Sequence, residues 1–208
     1  MRLIWFAALS VVVARMFLPA ALNAALPTPE DAPKHPSLAG QLLIAAPEMG
    51  DPRFYHSVIL MVRHDQNGAL GIIINRPIED RSLASLLEAV GQEAVGVTGS
   101  VRIFAGGPVQ PEIGFVLHST DYHRPETVDI DGRVAMTSSP QVLRDIANRQ
   151  GPSKSIVAFG YAGWRSGQLE GELGQRAWLT AEDDEELVFD EKRDEVWDKA
   201  MKRRTQDL

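Results

Sequence analysis

Two dipeptides, Asn67-Gly68 and Asp131-Gly132, do most to limit what this chain can fold into. Each lies between short runs rich in Val, Ile and Leu. Each also supplies residues that tolerate positive φ, as a tight turn between right-twisted antiparallel strands requires. Residues 57–63 and 69–75 flank the first dipeptide, and 127–130 and 134–137 the second. Residues 41–46 and 156–160 read as further strands, and 101–105 and 113–118 as a pair joined around GGPVQPE. Helical spacing is rarer. Leu83, Leu86, Leu87 and Val90 share one face of a helix over 82–90. Ser139-Pro140 opens a second helix, with Ser139 as N-cap, that buries Val142, Leu143, Ile146 and Ala147 and stops at Gly151-Pro152. A third, over 194–204, turns Val196, Trp197, Ala200 and Met201 inward. Hairpin-linked strands with interspersed helices, and no strict βαβ alternation, predict a single α+β domain.

The N-terminus has a different composition. Arg2 precedes the apolar run from Leu3 to Ala14, and the small residues Ala20, Ala21, Ala24 and Ala25 follow. Charge, apolar core and small-residue region come in the order of a secretory signal, assigned here to residues 1–25. Arg15 interrupts the apolar segment, and an uncleaved anchor or a start codon misplaced upstream of Met16 are the alternatives. Residues 26–36 form a proline-rich polar linker too poor in apolar side chains to pack. The folded domain is therefore expected over 37–208, without a membrane span of its own. The expected location is the periplasm, or export by another route, with the cytoplasm as the alternative under the misplaced start.

Charge and cysteine content narrow the chemistry. The 208-residue chain carries a formal charge of −7 and has no cysteine, so disulfides and thiolate chemistry are excluded. An acidic chain repels phosphate backbones, and its one basic cluster, Lys202-Arg203-Arg204, lies close to the acidic run 182–186. Direct nucleic-acid binding is therefore not expected. The acidic run itself reads as a solvated turn. GxSxG, Walker, GxGxxG and HExxH motifs are all lacking, and no cofactor or metal is implied. His118, Asp121 and His123 have the residue types of a metal site but not a recognisable spacing.

GYAGWRSGQLEGELGQRAW, residues 160–178, holds five glycines, two tryptophans and two glutamates. A helix from Ser166 would put Gly167, Gly171 and Gly174 on one side, and such a stripe predicts close approach of a neighbouring backbone, since each glycine costs about 1 kcal/mol relative to alanine. Glu172 and Arg176 are spaced to pair on its surface. Trp164, Gln168 and Glu170 either line a ligand pocket at this strand-to-helix turn or, respectively, cap the core, bond the backbone and face solvent. Gly106-Gly107 either turns N–H groups toward an anion or makes a tight connection between strands. Asn75 either meets a ligand or bonds its own downstream backbone.

LAGQLLIAAPEMGDPRFYHSVILM, GALGIIINRP, FAGGPV with GFVLH, and GYAGWRSGQLEGELGQRAWL follow one another between Leu38 and Asp190. In this order they resemble the YqgE/AlgH family of bacterial proteins. The resemblance implies an α+β fold whose bifurcated, largely antiparallel sheet curls into a pseudo-barrel with a few flanking helices. It carries no catalytic residues over, and the family's label of transcriptional regulator rests on genetic association rather than a DNA-binding motif. Members usually lack a signal sequence, so this chain departs from the pattern at its N-terminus. The function expected is a non-enzymatic binding or regulatory module acting through a protein or small-molecule partner. The alternatives are a hydrolase or transferase with a pocket near the GGP and GWxxGQLE segments, and a cytoplasmic transcription-related regulator. Candidate ligand-binding residues are Asn75, Gly106, Gly107, His118, Trp164, Gln168 and Glu170. Cell fractionation with intact mass tests the export expectation. A periplasmic species lacking about the first 24 residues is expected, and a cytoplasmic species starting at Met1 or Met16 would refute it.

Overall fold

The computed structural model describes residues 36–205, so the signal at 1–25 and all but the last residue of the linker lie outside it. Along the chain run β1 (Gln41–Ala45), β2 (Val58–Asp65), β3 (Gly68–Ile73), β4 (Pro77–Ser82) and α1 (Leu83–Ala89). Next come β5 (Ser100–Ala105), β6 (Val109–Ser119), β7 (Val128–Asp129), β8 (Val134–Thr137) and α2 (Gln141–Ala147). The chain continues with β9 (Ser155–Arg165), α3 (Gln168–Gly174), β10 (Trp178–Glu182), α4 (Glu185–Val188) and α5 (Val196–Arg203). The strands form one sheet in the order β10-β1-β2-β3-β9-β6-β8-β7, with β4 and β5 on a branch. Every pairing is antiparallel except β5 with β9. The branch and the curl make this the α+β half-barrel that the resemblance implied.

Both predicted hairpins form. Asp65 pairs with Gly68 across β2 and β3, and Asp129 with Ala135 across β7 and β8. In the first, only Gly68 takes a positive φ, +130°, where a Cβ would stand 2.2 Å from the carbonyl oxygen of Trp164. Period-2 alternation divides the core between the two faces of the sheet. Leu42, Ile44, Leu60 and Ile72 pack with Val196 and Ala200 of α5 on one side. Leu43, Ala45, Ile59 and Ile73 pack with Trp164, Leu169 and Trp178 on the other. α1 and α2 cover a third cluster, setting Leu87 and Val142 against Val157 of β9.

The eleven-residue β9 is the spine. Its first half lies between β6 and β5, and its second half pairs with β3. The GGPVQPE segment therefore does not close a hairpin between β5 and β6, contrary to the sequence expectation. It is a crossover over β9: β5 runs parallel to β9 on one side, and β6 returns antiparallel on the other. The reason is steric. A Cβ on Gly106 would lie 2.3 Å from the oxygen of Gly160, and one on Gly107 2.1 Å from the carbonyl carbon of Tyr161. Gly160, at φ +73°, would meet the oxygen of Gly107 at 2.4 Å.

Other expectations shift. Gly167, Gly171 and Gly174 have no neighbouring atom within 4 Å of a Cβ position, so the glycine stripe of α3 is not a close contact. Gly167 instead begins the helix at φ +75°, in place of Ser166. Pro140, not Ser139, is the N-cap of α2, a displacement of one residue. β4 and β10 arise where no strand was expected. The acidic run is not simply a solvated turn. Asp184 caps α4, and Asp183 is buried beside Asp131 and ion-paired to Arg133.

Burial, then the hydrogen bond and charge of Asp131, pushes the Asp183 carboxyl up to about 7 against the pull of Arg133. Asp131 is only partly buried, and hydrogen bonds from Asp183 and from the Val134 and Arg133 N–H groups outweigh that burial and hold it below the ordinary range. Asp183 is therefore the member of the pair that keeps the proton.

Two predictions follow the packing and the titration. In urea unfolding, Gly107→Ala should cost about 3 kcal/mol or more, whereas Gly171→Ala should stabilise by up to about 1 kcal/mol; equal effects would contradict the crossover. For Asp183 the folded state holds its proton more tightly than the unfolded chain. Its contribution to stability is thus complete below about pH 4 and lost as pH rises through about 7. Calorimetry of Asp183→Asn should show a smaller fall of Tm between about pH 5 and about pH 8, and an unchanged fall would refute this assignment.

Candidate functional site

α3 carries the chain from the end of β9 to the start of β10, across the sheet face that holds Leu43 and Ile59, and drives Leu169 into it. Trp164 lies just before the helix and Trp178 just after. Their rings meet edge to face, centroids 5.9 Å apart and planes at 80°, and Phe54 adds its edge to Trp178 at 5.4 Å. Both indoles are buried, so each N–H needs an acceptor. One carboxylate oxygen, Oε2 of Glu172, serves both, at 2.8 Å from Trp164 Nε1 and 2.7 Å from Trp178 Nε1. Its Oε1 accepts from Gln168 Nε2 at 2.9 Å, and Gln168 Oε1 accepts the N–H of Arg165 at 3.1 Å. Gln168 and Glu172 are one helical turn apart, which puts both on the same face.

The expected surface pair of Glu172 with Arg176 does not form. α3 ends at Gly174, and Arg176 follows it in the left-handed region at φ +58°, outside helical register. Glu172 turns inward instead.

Beside the rings, Met49, Pro108, Val109, Gly163 and Ala177 complete a cleft of about 230 Å³. Asp51, Arg53, Gln168 and Glu172 are its polar members. Arg53 grips Asp51 through Nε and Nη2, and that hydrogen bond, opposed by the little burial there is, holds the Asp51 carboxyl below its ordinary value. Neither carboxylate is poised as a base. Asp51 is tied to a guanidinium, and Glu172 has three N–H donors on its two oxygens. Among the described residues, no Ser, Thr, His, Lys or Tyr lines the cleft. The cleft can hold an apolar or flat group and orient it, but it offers no nucleophile with an adjacent base.

The residues singled out from sequence scatter over several places. Trp164 and Gln168 line this cleft, and Gly107 leads into it through Pro108. Glu170, on the same helix, faces the other way. Leu38 N–H donates to Nδ1 of His64 at 3.1 Å, which fixes the proton on Nε2, and Nε2 donates to Glu170 Oε1 at 3.0 Å. Gly106 gives its N–H to Phe159 and its carbonyl to Ile73 within the crossover. Asn75 bonds backbone, though not its own downstream segment. Its Oδ1 accepts from Val58 at 2.9 Å and its Nδ2 donates to the His56 carbonyl at 2.9 Å. His118 is fully buried, its ring nitrogens at 2.9 Å from the Ser119 carbonyl and 2.8 Å from Thr137 Oγ1, and burial lowers its pKa. Among the described residues no group of three or more His, Asp and Glu could hold a metal, and no helix is long and apolar enough to cross a membrane.

The sequence does not mark Phe54 or Trp178 as site residues, and it gives Glu172 only a surface role. Two tryptophans flanking a short helix that carries a glutamate was the available signal, since buried indoles need an acceptor.

Comparison with known proteins agrees with this architecture. The AlgH-like family profile matches residues 42–208. A UPF0301 protein of Jannaschia sp. is 46% identical over 166 residues, covering 79% of this chain and 86% of its own. One from Rhizorhabdus wittichii is 44% identical over 172 residues, covering 83% and 91%. The solution structure of the AlgH protein from Pseudomonas aeruginosa superimposes with a TM-score of 0.69 at 40% identity, covering 80% of this chain and 88% of that one. A crystal structure of a Corynebacterium diphtheriae protein, at 19% identity and TM-score 0.64, covers 83% and 89% and shares the fold.

Proposed function

This chain belongs to the AlgH-like family, and from that premise we propose that it is a non-enzymatic binding module of the cell envelope that grips one apolar or aromatic side chain of a partner protein in the Trp164–Trp178 cleft. The observation that carries this reading is the lining of the cleft. Aromatic walls stand over a carboxylate whose oxygens are already occupied, beside an exposed Arg53–Asp51 ion pair.

Size supports a side chain over a substrate. About 230 Å³ falls below the roughly 300–1,000 Å³ of most small-molecule sites. It suits the buried anchor residue around which protein interfaces concentrate their energy. Pre-formed walls lower the entropic cost of docking, and here the Glu172 hydrogen bonds fix both indoles in advance. The hydrolase or transferase reading needed Asn75, Gly106, Gly107, His118 and the Trp164–Glu170 turn to converge, and their dispersal favours binding over turnover. Export follows from the signal-like N-terminus. A regulatory effect would pass through the partner rather than through duplex DNA, which a charge of −7 repels.

Photo-crosslinking from position 168 in the native cell tests this reading, with Val95, 93% exposed and away from the cleft, as the control position. A discrete adduct from 168 is expected, absent at 95 and lost when Ala177→Leu fills the cleft. A peptide from the captured partner should then move the Trp164 and Trp178 indole N–H resonances. Indistinguishable adducts from the two positions, or an adduct indifferent to Ala177→Leu, would end the proposal.

A further inference from the structure

A second cleft, of about 300 Å³, opens where Asn75 and Arg76 face the segment from Arg193 to Asp198. It contains two half-buried arginines that form no ion pair among the described residues. Both are held in place by backbone carbonyls instead. Arg76 Nη1 donates to the carbonyl of Arg53, and its Nη2 to that of Tyr55 at 2.8 Å. Arg193 Nη1 donates to Val188 at 2.6 Å and to Ile74 at 3.4 Å, and the guanidinium lies over the Phe104 ring, 5.1 Å from its centroid. These bonds orient the two groups without neutralising them. Nε of Arg76, and Nε and Nη2 of Arg193, make no hydrogen bond to the described residues.

The surroundings are built with equal care. His56 is stacked between Tyr55 and Trp197, at 4.0 Å and 4.0 Å, and all three rings line the cleft. The backbone of His56 sits at φ +55°, a conformation that costs free energy and that the Asn75 side chain holds by bonding both sides of the turn. Burial draws the Arg193 guanidinium down to about 10 and lowers Arg76 as well. Asp51 near Arg76, and Asp190 and Glu191 near Arg193, oppose that fall through space but hydrogen-bond to neither guanidinium, so the free N–H donors stay open to a further anion. Asp194 and Asp198 also line the cleft, but both are exposed and neither pairs with the arginines, so solvent weakens their repulsion of an anion without abolishing it.

We propose that this cleft binds a small molecule bearing an oxyanion, its phosphate or carboxylate group held by the N–H donors of Arg76 and Arg193 that the protein leaves unused. Planar guanidinium groups suit either anion through paired N–H donors. The site does not depend on the tryptophan cleft, and either proposal can fail without the other.

The test is an NMR titration of the intact protein with inorganic pyrophosphate and, separately, with citrate, each against sodium chloride at matched ionic strength. The arginine Nε–H resonances and the Trp197 indole are the readouts. Saturable shifts confined to Arg76, Arg193 and Trp197 are expected from at least one of them. A response to pyrophosphate alone would identify a phosphate ligand, and one to citrate alone a carboxylate. Arg76→Gln should weaken binding about tenfold or more, the loss of one charge-assisted contact. Asp198→Asn should tighten it severalfold by removing a like charge, and this variant decides the matter where an arginine variant fails to fold. Shifts that chloride reproduces, or binding unmoved by both Arg76→Gln and Asp198→Asn, would overturn the proposal.

Discussion

Everything in this fold depends on how closely the backbone of Gly106-Gly107 passes the backbone of Gly160-Tyr161. A strand can ordinarily pair with one neighbour on each edge. β9 serves three because its two halves are used separately, and the chain changes sides at the point where these glycines touch. Without side chains there, Gly106 can give its N–H to Phe159 at 2.7 Å and take the N–H of Ile73 at 2.9 Å, joining three strands at one residue. A methyl group on Gly106, Gly107 or Gly160 would stand 2.3, 2.1 or 2.4 Å from backbone atoms and would force those backbones apart. Close packing transmits that displacement, since interiors have little free volume to absorb it.

Both clefts are consequences of that junction. The second half of β9, freed from β5 and β6, runs beside β3 and ends at Trp164, where α3 starts back across the sheet. β3, paired there, sends its continuation through Asn75 and Arg76 to the other cleft. The electrostatics of the two sites differ for a physical reason. In the first, the half-buried carboxylate is satisfied by neutral N–H donors of the protein itself. In the second, the cations are oriented by neutral carbonyls, and the nearest carboxylates act on them only through space.

How much of this could be read from the chain depended on whether the determining contact was local. The hairpins at Asn67-Gly68 and Asp131-Gly132 were legible, because turn chemistry within four residues fixes them. α1 and α5 were legible through their apolar spacing. β4 was not: all six of its residues are exposed, so no alternation marks it. β10 was hidden behind the glycine-rich helix that precedes it. GGP could be read as a turn or as a crossover from the same residues, and the parallel partner that decides between them lies some fifty positions away on β9. Trp164 and Gln168 were found as site residues because they share a turn. Glu172 was misassigned because spacing alone allowed a pair with Arg176, whereas the buried indoles offered two better donors. Arg76 and Arg193 are far apart in sequence and gave no joint signal.

The two clefts also share a wall. The turn from Asp51 to His56 gives Asp51, Arg53 and Phe54 to the tryptophan cleft, and Tyr55 and His56 to the arginine cleft. Arg76 holds that turn from behind through the carbonyls of Arg53 and Tyr55, and Asn75 holds it through the carbonyl of His56. The segment has few anchors of its own besides the hydrogen bonds of Phe54 and Ser57 at 2.9 Å and 2.9 Å. Its position is thus set largely by side chains that line the second cleft, while its own side chains shape the first. The carbonyls that Arg76 grips stand one residue to either side of Phe54, whose ring meets Trp178. A shared element is what any coupling between two sites requires, and the turn from Asp51 to His56 is a segment that lines both clefts while each keeps its own binding groups.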